Sequence, residues 1–254
     1  MTILLVNDDG IFAPGINKLY ETIKDLGDIT VVAPDGERSA VSHALTLDIP
    51  LPVREVDTGV LKGTAVMGTP ADCVKLALTE ILPKKPNLVL SGINLGCNTG
   101  LNVIYSGTVG GAAEAVFNGI PAVALSLDTY TDPNWEPILP FIHDLVKTVM
   151  DKGIPDGVLL NVNMPNVEKK NDIKDVMITE QGMAHWQEKF HKRIDPKGRT
   201  YYWMTGKKRE KKEAETIDDT AIKNNYISVT PVQFDLTAYN KMAAVKNLGI
   251  KYKK

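Results

Sequence analysis

Two rhythms of apolar residues alternate along the first two-thirds of the chain. Short unbroken runs occur at ILLVN (3–7), ITVVAP (29–34), NLVLSG (87–92), PAVALSL (121–127) and VLLNVNM (158–164). Runs of this kind are expected of strands buried on both faces. Between them, apolar positions recur at helical spacing. The stripes are Ile16, Leu19, Tyr20 and Ile23; Val74, Ala77, Leu78 and Ile81; Val109, Ala112, Ala113, Val116 and Phe117; and, within 136–152, Ile138, Ile142, Leu145, Val146 and Val149. GTAVMG (63–68) predicts another strand. Thr69-Pro70-Ala71-Asp72 has the form of a capping box with proline at the first helical position, so it predicts a helix start. Strand and helix in alternation predict a mostly parallel sheet covered on both faces. With right-handed crossovers the fold is a Rossmann-like, doubly wound α/β sheet.

The rhythm changes near residue 165. DVMIT (175–179), RTYYWMT (199–205) and YISVTPV (226–232) read as strands joined by long connections. The chain therefore divides into a catalytic core over 1–165 and an extension over 166–254. The extension holds a β-arm, a last core strand and a terminal helix at about 238–248. Tyr201, Tyr202 and Trp203 need cover. A projecting arm packed on a second copy would supply it. KKREKKEAE (207–215) has no apolar face and reads as a solvated loop or hairpin tip.

Composition narrows the function. The 254 residues carry a net charge of −2, which gives no global reason to expect nucleic acid or an anionic membrane as partner. No apolar run approaches the ~20 residues that span a bilayer. The start MTILLVNDDG lacks the basic region of a secretory signal, so a cytoplasmic location is expected. Cys73 and Cys97 have no metal-site spacing and read as ordinary thiols.

Candidate chemistry gathers where the strands end. Ligands of open parallel sheets bind beyond the carboxyl ends of the strands. Asp8 and Asp9 follow the first strand, DGERSA (35–40) the second, and SGIN (91–94) the run at 87–92. Two carboxylates ~4 Å apart repel by ~4 kcal/mol at an effective dielectric near 20. A hard divalent cation reverses that penalty. Both acids can serve one ion only if the chain turns there, and Gly10 permits a turn. Alone, the triplet reads rather as a solvated Asp-Asp-Gly turn. Ser39 alone is a turn residue, and Asn94 alone a loop former. Together, Asp8, Asp9, Ser39 and Asn94 make an all-oxygen set suited to Mg²⁺ or Mn²⁺.

A second element is YSGTVGGAAEA (105–115). Ser106, Gly107 and Thr108 precede a helical stripe, where amide groups and the helix dipole favour an anion. Ordinary helix capping would use the same residue types. No Gly-Lys-Ser/Thr sequence marks a Walker loop. The first strand ends in NDDG and not in a dinucleotide fingerprint.

In order and spacing, NDDG, APDGERSA, SGINLGCNTG and YSGTVG resemble the signature blocks of the SurE family of survival proteins, which act as nucleotide phosphatases. DPKGRTYYWMTG and ISVTPVQFDLT resemble its later blocks, so the likeness spans roughly residues 1–237. The resemblance implies one divalent ion per subunit, Mg²⁺ or Mn²⁺, held by Asp8, Asp9, Ser39 and Asn94. It implies phosphate contacts at Asn98, Ser106, Gly107 and Thr108. It also implies a homodimer or homotetramer built by exchanged C-terminal parts. The expected reaction is hydrolysis of nucleoside 5′- and 3′-monophosphates, extended in some members to polyphosphate. Asn102 stands where many members have an acid, and Ala115 where glycine is frequent.

The expected mechanism is attack by metal-activated water, with Asp8 orienting that water or taking its proton. Three rivals share the same residues. A covalent aspartyl-phosphate route would make Asp8 the nucleophile. A metal-dependent deacetylase would want histidines, of which His43 alone lies near a site loop; a structural or surface role suits it better. A non-catalytic nucleotide sensor would bind phosphate and release nothing.

Overall fold

The computed structural model describes residues 1–208 and 213–252. In chain order the elements are β1 (Thr2–Val6), α1 (Pro14–Ile23), β2 (Asp28–Pro34), β3 (Val53–Asp57), β4 (Lys62–Val66), α2 (Pro70–Leu76), β5 (Leu88–Leu95), α3 (Asn102–Tyr105), α4 (Gly107–Phe117), β6 (Ala122–Asp128), α5 (Leu139–Lys152) and β7 (Leu159–Pro165). There follow β8 (Val176–Ile178), β9 (Trp186–Ile194), β10 (Thr200–Lys208), α6 (Asp218–Lys223), β11 (Ile227–Val232) and α7 (Met242–Lys246).

Nine strands form one sheet in the order β3-β4-β2-β1-β5-β6-β7-β11-β8. From β4 to β7 all neighbours are parallel. The chain leaves β1 toward β2 and β4, then returns to place β5 on the other side of β1. The C-terminal ends of β1 and β5 therefore flank a topological switch point, the crevice where such sheets bind ligands.

Burial on both faces explains the unbroken apolar runs. Along β1, Ile3 and Leu5 join the core under α1 and α5, while Leu4 and Val6 join the core under α2 and α4. The predicted capping box is present: Asp72 N–H donates to Thr69 Oγ1 at 3.1 Å, and Thr69 N–H to Asp72 Oδ2 at 2.9 Å. α2 ends at Leu76, and a π-helical turn over Ala77–Ile81 carries its stripe onward.

Several elements depart from the sequence reading. β5 continues past Gly92 through an irregularity to Leu95, so Asn94 lies in the strand, paired with Ser126 of β6. β3 and β9 have no counterpart in the predicted set. Both are largely exposed, and each is held by an antiparallel partner, β4 or β10, so neither shows an apolar pattern. The arm is the β9–β10 hairpin. Its turn lies between Ile194 and Thr200, where Asp195 accepts from the backbone of Lys197 and Arg199. The basic run is thus not the hairpin tip: Lys207 and Lys208 finish β10, and 209–212 fall outside the described residues. The expected terminal helix is reduced to a 3₁₀ turn at Tyr239–Lys241 and the short α7, both without buried residues.

Residues beyond 165 return to the sheet as β8 and β11, and they also clamp the loop after β5. Asp218, fully buried, accepts from Gly100 N–H at 2.8 Å, Gly182 N–H at 3.0 Å and Asp219 N–H at 2.7 Å. Leu101 N–H donates to Ala184 O, and Gln181 Nε2 to Gly100 O. Burial pushes the Asp218 carboxyl above its ordinary range, against the pull of these three donors. Replacing Asp218 by alanine leaves three buried amides without acceptors. The variant is expected to lose about 3 kcal/mol of unfolding free energy in chemical denaturation. A loss below about 0.5 kcal/mol would contradict this bracing role.

Candidate active site

A cleft of about 770 Å³ opens at the switch point. Of the residues singled out from the sequence, Asp8, Ser39, Asn94, Asn98 and Ser106 line it together. Asp9 follows Asp8 in the chain, and Gly107 and Thr108 follow Ser106; none of the three is among the residues that line the cleft.

Asp8 lies two residues beyond the end of β1 and is only 6% exposed. Thr108 Oγ1 donates to its Oδ1 at 2.6 Å, and the Thr108 amide also donates to this carboxylate. Asp8 therefore occupies the start of α4, where orphan amide groups and the helix dipole favour negative charge. A Cβ at Gly107 would lie 2.9 Å from Asp8 Cβ, so only glycine lets the helix start come this close. The anion-binding end of α4 is thus partly filled by the protein's own carboxylate. Ser106, the N-cap, accepts from Val109 N–H at 3.1 Å and presents its hydroxyl to the cleft. Thr108 is fully buried, with its hydroxyl directed at Asp8.

Gly10 supplies the turn after the acids with a φ of 97°, a conformation that favours glycine. Asp9 accepts from the Leu95 amide of β5, so the two strands flanking the crevice are tied at the site. Arg38 N–H donates to Asp8 O at 2.7 Å and fastens the DGERSA loop to the same point. In that loop Ser39 Oγ donates to Glu37 Oε1 at 2.5 Å, which leaves the serine oxygen's lone pairs for another partner. Asn94 Nδ2 donates to Gly96 O at 2.6 Å. That commits the amide nitrogen to the backbone and reserves the amide oxygen.

Burial raises the Asp8 carboxyl from the ordinary 3.8 to about 6, with Asp9 adding repulsion and the Thr108 hydroxyl pulling the other way. Burial also raises Asp9, and Glu37 adds to the effect. Ionised Asp8 is therefore less favourable in the fold than in the unfolded chain. Its penalty is absent below the ordinary value and complete above about pH 6. Among the described residues no cation pairs with Asp8 or Asp9; the nearby Arg38 guanidinium goes to Asp35 and Gly68 O. Adjacent, desolvated acids without a counter-charge, next to two neutral oxygen donors, fit a hard divalent ion. Among the described residues no group of three or more His, Cys, Asp or Glu side chains could hold a metal. That speaks against a histidine-rich, deacetylase-like centre.

Asn98 is held from behind. Its N–H donates to Asn163 Oδ1 at 2.8 Å, its Nδ2 to Ser126 Oγ at 2.9 Å, and Asn161 Nδ2 donates to its carbonyl. Sequence reasoning missed Ser126, Asn161 and Asn163 as supports. The signal was present as polar residues inside the apolar runs VALSL and LLNVNM. It missed Glu37 as well, two residues before Ser39. His43 lies off the cleft wall. Its Nε2 is 2.7 Å from buried Glu114 Oε2, whose other oxygen takes Lys75 Nζ at 2.8 Å. His43 thus anchors the 40s loop to α4 and α2, the structural role expected of it.

Comparison with known proteins identifies the family of the chain. The family model for survival protein SurE matches residues 3–188. A 5′-nucleotidase SurE of Christiangramia forsetii is 48% identical over 242 residues, covering 94% of this chain and 93% of the relative. One from Aquifex aeolicus is 46% identical over 248 residues, covering 97% and 98%. The crystal structure of a SurE protein from Aquifex aeolicus superposes with a TM-score of 0.85 at 45% identity, covering 98% of this chain and all of that one. In fold, in sequence and in family model alike, the chain belongs to the SurE family of survival proteins.

Proposed function

We propose that the protein is a divalent-metal-dependent nucleotidase that hydrolyses nucleoside monophosphates to nucleoside and phosphate. The carrying observation is the cleft at the β1–β5 crevice, where buried Asp8 meets Ser39, Asn94, Asn98 and Ser106. The relatives reported above bear the name 5′-nucleotidase and match nearly the whole chain.

Asp8, Asp9, Ser39 and Asn94 would hold one Mg²⁺ or Mn²⁺. Bound there, the ion supplies Lewis acidity toward a phosphoryl oxygen and toward a bound water. The rest is the chain's own work. Ser106 offers its hydroxyl to a phosphoryl oxygen. Asn98 has one amide hydrogen fixed on Ser126 and the other available to the substrate. The two strengthen as charge develops on the phosphoryl group. Asp8, held in place by Thr108, orients the attacking water and takes its proton. With the Thr108 hydroxyl committed to Asp8, we assign Thr108 to positioning, and the phosphate contacts to Asn98, Ser106 and the amide of Gly107.

The exposed apolar residues of the arm and tail support self-association. Phe190, Ile194 and Trp203 on the hairpin, and Met242, Leu248 and Ile250 on the tail, are all more than half exposed. A second copy of the chain would cover them, giving a homodimer or a pair of dimers.

Four outcomes check these readings. Wild-type protein with Mn²⁺ is expected to release inorganic phosphate from 5′-AMP, and chelation to abolish release. Asp8→Asn, which keeps an acceptor for Thr108, should lower turnover at least 100-fold while retaining the fold by circular dichroism. Full turnover in that variant removes Asp8 from the mechanism, and binding of 5′-AMP without release points to a sensor. In thermal melting, Mn²⁺ should stabilise the wild type and leave Asp8→Asn nearly unmoved; an equal gain in both would place the ion elsewhere. Light scattering should give a mass of two or four chains, and a monomer mass would refute the assigned role of the arm and tail.

A further inference from the structure

Of the four proposed metal ligands only Ser39 is exposed; Asp8 is buried, and Asp9 and Asn94 are half-buried. Burial therefore does not place Ser39, and its position comes from the chain on either side. Before it, the Arg38 amide is fixed on Asp8 O. After it, residues 40–46 cross the first turns of α4 as a strap.

The strap is strained and closely fitted. Ala40 and Ser42 both have a φ of 55°, in the left-handed region that non-glycine residues rarely adopt. Such backbone persists only where its surroundings over-determine it. Here Ser42 N–H donates to Tyr105 O at 3.0 Å, and Ser42 Oγ to Ile104 O at 2.6 Å. A Cβ at Gly110 would lie 2.5 Å from Ser42 O, so the strap rests directly on the backbone of α4. Farther on, Thr69 Oγ1 donates to Ala44 O at 2.7 Å, and Thr46 N–H to Asp72 Oδ1 at 3.0 Å.

His43 stands between these bonds. Its Nε2 meets Glu114 Oε2 at 2.7 Å, and its ring lies tilted on Phe117 with centroids 5.1 Å apart. Glu114 is 3% exposed and also accepts from Lys75 Nζ and Asn118 Nδ2, so its carboxylate is a fixed acceptor. Glu114 and Thr108 belong to the same helix. One rigid element therefore reaches two members of the proposed metal set. Thr108 holds Asp8, and Glu114 holds the strap that carries Ser39.

We propose that His43 and Glu114 are positioning residues for the metal centre, a latch through which α4 sets Ser39 against Asp8. The inference deepens the nucleotidase reading and rests on its metal set. With the latch open the strained strap relaxes and Ser39 leaves its place. Affinity for the ion then falls, while turnover of the loaded enzyme changes little.

The test titrates Mn²⁺ into the full-length protein by calorimetry and follows amide hydrogen exchange without metal. In His43→Ala the Mn²⁺ affinity should fall about tenfold or more, as when other supports of metal ligands are lost. Activity missing at limiting Mn²⁺ should return at saturating Mn²⁺. Exchange at Ser42 should quicken at least tenfold, with Val109 on α4 unchanged. His43→Gln, which keeps a donor for Glu114, should restore both readouts. His43→Phe, which keeps the ring contact and lacks the donor, should behave as His43→Ala and replaces it if the alanine variant does not fold. Lys75→Ala removes a different donor from the same carboxylate and leaves the strap alone, so its Mn²⁺ affinity should stay within about twofold of wild type. Equal losses in Lys75→Ala and His43→Ala overturn the proposal, as does unchanged Mn²⁺ affinity in both His43→Ala and His43→Phe. Failure of the wild type to bind Mn²⁺ overturns the metal reading and this inference with it, whereas normal binding by wild type and latch variants alike overturns the latch alone.

Discussion

The buried carboxylate of Asp8 at the start of α4 is the constraint on which the rest of the site depends. A desolvated anion is unfavourable unless something compensates. Here compensation comes from the Thr108 amide and hydroxyl at a helix N-terminus. The contact requires glycine at 107, a turn at Gly10 and the end of β1 directly under the helix start. It remains incomplete, because adjacent Asp9 is also partly desolvated and, among the described residues, no side-chain cation pairs with either acid. The fold thus holds two acids in a state that a divalent ion relieves. Tension of this kind is common at functional sites, where a local rule is broken for chemistry.

Other parts of the chain are fastened to that point. Arg38 ties the Ser39 loop to the Asp8 carbonyl, and the Leu95 amide ties β5 to Asp9. Asn98 is steadied by Asn161, Asn163 and Ser126. Farther out, Asp218 and residues 181–184 brace the loop through Gly100 and Leu101. The late part of the chain therefore does more than extend the sheet. It holds the site loop from behind and, through the arm, walls the cleft in front.

Much of the fold was legible because β1, β5, β6 and β7 are covered on both faces, which forces unbroken apolar runs. Helices of an α/β sheet show stripes for the same reason. β3 and β9 left no such trace, since backbone pairing and not burial holds them. The proposed metal set came from residue types at strand ends, and parallel topology brings Asp8, Ser39 and Asn94 of that set to one cleft. The role of Thr108 was not. A hydroxyl at a helix start reads equally as cap, phosphate donor or carboxylate partner, and only the approach of β1 decides.

The most direct measurement is an anomalous difference map from a crystal grown with Mn²⁺. The arrangement predicts one peak per chain at the β1–β5 crevice, bounded by the oxygens of Asp8, Asp9, Ser39 and Asn94. A map with no peak there, or with manganese bound only at surface carboxylates, would contradict the metal centre and the reaction built on it.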